Sequence, residues 1–197
     1  MKKIWRVIIL VLVAGVMTGD LLLDYRMDAQ AHPQDTETAE LAGLTIGTAV
    51  GELAPNFTGT TIDGQEITLS DQQGKLVAVN VFASWCGPCR VEAPHLVEVY
   101  NNIDRDKVEF IGLNLQERPA EVEFFRDEFF IDFPLVLDEG GDLTEIYRPI
   151  GLPTTWFIDQ DGVVRFVFSG PMTKEALESI LADVEAGREP DPFAVIG

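Results

Sequence analysis

The chain has 197 residues, 46% of them hydrophobic, enough for one domain of ordinary size with a substantial core plus appendages. Its 14 basic and 33 acidic residues give a formal net charge of −19, which excludes nucleic-acid binding through a basic face. Spread along the chain as it is, this charge reads as a solvated surface.

At the N-terminus, Lys2, Lys3 and Arg6 flank an apolar run from Val7 to Met17 that resumes at Leu21 to Leu23. From Ile4 to Leu23 the stretch approaches the roughly 20 residues that span a bilayer. Residues 1–23 are therefore expected to form a membrane anchor. The basic flank would be cytoplasmic and everything after the anchor extracytoplasmic, a single-pass arrangement in the cell membrane. A cleaved signal peptide is the alternative, with Ala29-Gln30-Ala31 as its small-residue site. Against it, Asp24, Arg26 and Asp28 make the preceding gap long and charged. Either reading exports the domain.

Residues 24–46 are polar and aperiodic and are expected to be a flexible acidic tether. Residues 47–187 form the domain, and 188–197, with Pro190 and Pro192, a loose tail. Within the domain, Leu53 to Leu69 predicts a β-hairpin turning at Asp63-Gly64. Lys75 to Ala83 predicts a buried strand. Pro88 to Ile103 predicts a helix with Val91, Leu96, Val97 and Tyr100 as apolar positions and Pro88 in its first turn. Val108 to Leu115 is the next, parallel strand, which completes a βαβ unit. Pro119 to Phe130 is a helix with Val122, Phe125 and Phe129 on one face. A strand at Phe133 to Leu137 and a short helix at Asp142 to Tyr147 follow. Thr155 to Ile158 and Val163 to Phe168 form a hairpin across Asp161-Gly162. Thr173 caps the last helix, Lys174 to Ala186.

The two cysteines of the chain lie in Trp85-Cys86-Gly87-Pro88-Cys89. A disulfide closing so small a loop removes little unfolded-state entropy, so the spacing points to chemistry. One thiol attacks a foreign disulfide and the other resolves the mixed disulfide. The motif falls where a strand turns into a helix. Cys86 then meets the positive end of the helix dipole, which favours a thiolate. Cys86 is the expected nucleophile and the more exposed sulfur, and Cys89 the shielded resolver. A zinc site would need further ligands, and only His32 and His95 are at hand. No metal and no cofactor beyond the redox-active Cys86–Cys89 disulfide is expected.

The motif resembles the thioredoxin active site, and the chain from about Gly51 to Gly187 resembles the TlpA/ResA branch of the thioredoxin superfamily. Supporting blocks are Ala54-Pro55-Asn56-Phe57, Val79 to Trp85, Arg90 to Pro94, Gly151 to Asp159 and Asp161-Gly162. The resemblance implies an α/β thioredoxin-like fold: a central mixed β-sheet flanked by helices, an N-terminal β-hairpin extension and a central helical insertion. It implies that Glu92, three residues after Cys89, is a partly buried carboxyl that passes protons to and from the resolving thiol. Asn80 stands where classical thioredoxin has a buried Asp. It is expected to hydrogen-bond neighbouring backbone inside the sheet. Pro153 is expected to be a cis proline facing the cysteines, with the backbone of Leu152 pairing to an extended substrate.

Trp85, Gly87 and Pro88 complete the expected substrate surface. Trp156 reads as core, and Pro94 as a kink in the active-site helix. Gln116, Glu117 and Arg118, at the carboxyl edge of the sheet, read as surface loop, with a partner groove as the alternative.

The function implied is an extracytoplasmic thiol-disulfide oxidoreductase that reduces exported proteins. Apocytochrome c would be the typical acceptor and a membrane thiol-transfer protein the donor. A thiol peroxidase is a rival of the same fold, although Val79 and Ala83 stand where the peroxiredoxin pattern needs Pro and Thr or Ser. A copper metallochaperone is another, although its cysteine spacing is longer.

Overall fold

The computed structural model describes residues 43–191. The anchor expected over residues 1–23, the tether up to residue 42 and the tail from residue 192 lie outside the described residues. No helix among those described is long and apolar enough to cross a membrane.

A two-stranded hairpin, β1 (Thr58–Thr60) and β2 (Glu66–Thr68), runs into a 3-10 turn at Leu69–Gln72. The rest alternates around one sheet: β3 (Leu76–Phe82), α1 (Gly87–Tyr100), β4 (Val108–Leu115), α2 (Pro119–Phe129), β5 (Leu135–Asp138), α3 (Asp142–Tyr147), β6 (Thr154–Ile158), β7 (Val164–Ser169) and α4 (Lys174–Glu185). The sheet order is β5-β4-β3-β6-β7. β3, β4 and β5 are parallel, β6 runs antiparallel to β3, and β7 runs antiparallel to β6. This is the thioredoxin-like α/β fold, with the hairpin as its extension and α2 as the helical insertion.

β3 lies at the centre with all seven residues buried, which is why it reads as an unbroken apolar run. Its alternation still divides the core. Val77, Val79 and Val81 pack with Ile111, Leu113, Trp156 and Tyr147 on one face. Leu76, Ala78 and Phe82 face Ala93, Leu96, Leu177 and Ile180 of α1 and α4 on the other. By the period of two, Asn80 also faces α1.

The N-terminal segment is tied to the sheet. Ile46 bridges Leu53, Leu53 bridges Val163, and the hairpin's Thr61 bridges Val136 of β5. Leu53 N–H donates to Thr45 O at 2.9 Å, so chain expected to be tether through residue 46 already contacts the domain at Thr45. At the other end, Arg188 N–H donates to Asp183 O at 2.8 Å.

Three details depart from expectation. Val91 is 64% exposed, because the buried stripe of α1 runs through Cys89, Glu92, Ala93, Leu96, Val99 and Tyr100. β5 begins at Leu135, two residues later than expected, since Pro134 has no N–H for the ladder. α1 spans Gly87–Tyr100 and so ends before the expected Ile103.

Candidate active site

β3 ends at Phe82, and four residues later Cys86 is the N-cap of α1. Its Sγ accepts the Cys89 N–H at 3.2 Å, satisfying one of the donors that a helix start leaves open. The two cysteines are disulfide-bonded, with Cα atoms 5.3 Å apart. Both residues are buried, 5% exposed for Cys86 and 3% for Cys89. The expected contrast in exposure is therefore narrow. Position at the helix end distinguishes the sulfurs more than accessibility does. Gly87 and Pro88 are exposed beside them, and Trp85 is 68% exposed.

Glu92 is 1% exposed, one helical turn beyond Cys89. Its Oε1 accepts the Met172 N–H and its Oε2 accepts Asn80 Nδ2, each at 3.1 Å. Burial pushes its pKa up to about 7, against the two hydrogen bonds, which favour the carboxylate and lower it. Met172 lies just before Thr173, whose Oγ1 caps α4 by accepting the Ala176 N–H at 3.3 Å. The loop that launches α4 thus supplies one of the two donors that hold this carboxyl.

Asn80 does not bond the neighbouring backbone as expected. Its Nδ2 donates to Glu92 and, at 2.8 Å, to Thr155 Oγ1 on the adjacent strand. Asn80 and Thr155 are register partners across β3 and β6. The amide, facing α1 from the centre of the sheet, therefore orients the carboxyl.

The Leu152–Pro153 peptide is cis. Val81 pairs with Thr154, so Pro153 lies beside the end of β3, at the edge from which the cysteine loop departs. Pro153 is buried and Leu152 half-buried. The carbonyl of Pro153 accepts Gly170 N–H at 2.9 Å. Among the described residues, no backbone hydrogen bond engages the N–H or C=O of Leu152. Trp156, read as core, is 3% exposed, and its indole N–H donates to Thr48 O at 3.1 Å.

Glu117 has a role that the sequence reading missed. It is buried, and its Oε2 accepts the Ser84 N–H and Asn114 Nδ2, each at 2.7 Å, while Oε1 accepts the Ser84 hydroxyl. Ser84 O accepts Arg90 Nη1 at 3.3 Å. Arg90 in turn pairs with Glu128 and lies 5.1 Å from the centroid of the Phe129 ring. The loop before Cys86 is thus held at all three polar atoms of Ser84. Gln116, at φ 54°, turns the chain just before Glu117, while Gln116 and Arg118 themselves are exposed. Glu117→Ala would strand a buried N–H. It should cost about 2–3 kcal/mol and slow disulfide exchange, with Glu117→Gln restoring most of both. Urea unfolding and insulin reduction measure this, and an alanine variant as stable and active as the parent would refute the brace.

The arrangement can carry thiol–disulfide exchange: a sulfur at a helix N-terminus, a second sulfur behind it, a buried carboxyl titrating near neutrality, and an unpaired backbone edge alongside. Comparison with known proteins agrees. The AhpC/TSA family matches residues 50–167. The thiol-disulfide oxidoreductase ResA of Bacillus cereus (strain ATCC 10987 / NRS 248) is 34% identical over 187 residues, covering 93% of this chain and 99% of that protein. ResA of Geobacillus kaustophilus (strain HTA426) is 38% identical over 137 residues, 70% of this chain and 79% of that protein. Among solved structures, a putative thiol:disulfide interchange protein DsbE from Chlorobium tepidum superposes with a TM-score of 0.64 at 30% identity, covering 69% of this chain and 98% of that one. StoA from Bacillus subtilis superposes with a TM-score of 0.57 at 30% identity, covering 65% and 96%.

Proposed function

The chain belongs to the AhpC/TSA family and is a ResA-like thiol-disulfide oxidoreductase, and from this we propose that it reduces disulfides in exported proteins, with apocytochrome c as its substrate during cytochrome c maturation. The observation that carries the reading is Cys86 at a helix N-cap combined with the buried Glu92 carboxyl one turn beyond Cys89. In the reaction, the Cys86 thiolate attacks a substrate disulfide. A Cys86–substrate bond forms and the substrate's other sulfur leaves as a thiolate. Cys89 gives its proton to the Glu92 carboxylate and attacks the Cys86 sulfur. The Cys86–Cys89 disulfide closes, the second substrate thiolate leaves, and two electrons have passed to the substrate. The unpaired backbone of Leu152 accommodates an extended segment by strand addition, while Trp85, Gly87 and Pro88 form the exposed surface it meets.

The basic flank and apolar run of residues 1–23 support a single-pass anchor in the cell membrane with the domain extracytoplasmic. A reductant outside the cell must be recharged, and a membrane thiol-transfer protein is the donor that fits. Gly87-Pro88 between the cysteines supports a thioredoxin-like potential, near about −270 mV. Equilibrating the protein with a dithiothreitol redox buffer measures it. A potential near the oxidising value of about −120 mV would turn the direction of the reaction and remove the cytochrome assignment.

A further inference from the structure

Among the described residues, every lysine and arginine is in an ion pair except Arg148. On a chain with 33 acidic and 14 basic residues, an unpaired guanidinium needs a reason. Its place in the fold supplies one. Arg148 follows α3 as its C-cap, at φ 48°, with its N–H donating to Thr144 O at 2.8 Å. Glycine takes this left-handed cap position most easily, yet an arginine occupies it. Asp142 and Glu145 on the same short helix are exposed and, among the described residues, form no ion pair with it.

Two residues on, Ile150 is 92% exposed. Gly151 is exposed too, and then comes Leu152 with its unpaired backbone, followed by the cis Pro153. A free cation and a bare aliphatic side chain therefore sit on the segment that leads into the substrate edge.

We propose that Arg148 is a specificity-determining residue. It receives the carboxylate of an Asp or Glu side chain on the extended polypeptide whose cysteine reacts with Cys86, and Ile150 covers an apolar neighbour of that acid. The proposal rests on the reading that substrate lies along Leu152. Arg148 precedes Leu152 by only a few residues, a stretch of chain that spans at most about 14 Å, so the acid is sought a few residues from the reactive cysteine. The net charge of the protein opposes acidic segments in general. That field is screened beyond about 8 Å at physiological salt, and it acts equally on peptides of equal charge.

Three disulfide peptides test this. They are identical except for Glu, Gln or Lys at one position four residues from the reactive cysteine. The full-length protein is assayed in both directions, its dithiol form with the peptide disulfides and its disulfide form with the peptide dithiols. The Glu peptide should react about threefold faster than the Gln peptide, as a single exposed ion pair allows, and the gap should shrink with added salt. Arg148→Gln should remove the gap, and Arg148→Glu should transfer the preference to the Lys peptide. Reduction of a small uncharged disulfide should be unchanged in both variants. No gap in the parent protein, or a gap that survives Arg148→Gln, would overturn the proposal. Because the preference is read in both directions, a protein that oxidises and does not reduce would refute the reductant reading alone.

Discussion

Cys89→Ala should halt turnover and leave one substrate molecule bound to each chain through Cys86, while Cys86→Ala should give neither turnover nor adduct. Cys86 is the N-cap of α1, and its sulfur already receives the Cys89 N–H. That donor and the helix dipole stabilise negative charge on this sulfur and not on the next. Cys89 is enclosed among Phe82, Ala93, Leu96 and Phe125. It reaches the Cys86 sulfur more readily than an incoming disulfide. Removing Cys89 leaves the first step intact and stops the second, so the mixed disulfide persists. Mass spectrometry under non-reducing conditions would count the adducts. A stable adduct on Cys89 in the Cys86→Ala variant would exchange the two roles.

Glu92→Gln should remove an inflection near neutrality from the pH profile of exchange and flatten the pH dependence of stability. The Glu92 pKa is about 7 in the fold, against an ordinary 4.5. The folded state therefore holds a proton over that interval that the unfolded state has released. The stability this brings is complete below pH 4.5 and is lost as the pH rises through 7. The size is on the order of 3 kcal/mol, from about 1.4 kcal/mol for each pKa unit. At pH 8 the glutamine variant should accordingly be the more stable protein, provided that Asn80 turns its amide to present oxygen to the new NH₂ group. The exchange rate should fall at the same pH, since Cys89 has lost its proton acceptor. Denaturant unfolding from pH 4 to 8, beside insulin reduction over the same range, measures both. A parent protein whose stability does not decline across that interval would mean that Glu92 stays ionised.

Elements with strong local patterning were legible from the sequence with little error. β4 and α3 coincide with their expected limits, and Thr173 caps α4 as read. What local pattern could not reach was the company kept by polar residues in the core. On α1 a carboxylate occupies the buried stripe and a valine lies outside it, the reverse of what periodicity asks. Such an inversion marks functional sites, and only the resemblance had singled out Glu92. The partners of Asn80 come from 12 and 75 residues away, so they exist only once α1 and β6 both lie against β3. Glu117 was assigned to the surface because it follows a strand. Its inward course depends on the backbone turn at Gln116, for which a glutamine gives no signal. Arg148 was passed over because an arginine in a loop is ordinary. It stands out only once the partners of the other cations are known.

The N-terminal hairpin also guards the domain against its own copies. β5 is an edge strand of the sheet, and an open edge is a template for pairing with another molecule. Here Thr61 bridges Val136, and Ile62 N–H donates to Leu135 O at 2.9 Å. Gly59 lets the hairpin lie close, because a Cβ there would come within 2.4 Å of Val136 Cγ1. At the opposite edge, Gly51 N–H donates to Val164 O at 2.8 Å and Val164 N–H to Glu52 O at 2.9 Å, covering the start of β7. Under the strand addition proposed at Leu152, any other bare edge would be open to self-association. With these two stretches sheathed, an arriving strand is turned away from them, while the backbone of Leu152 stays open.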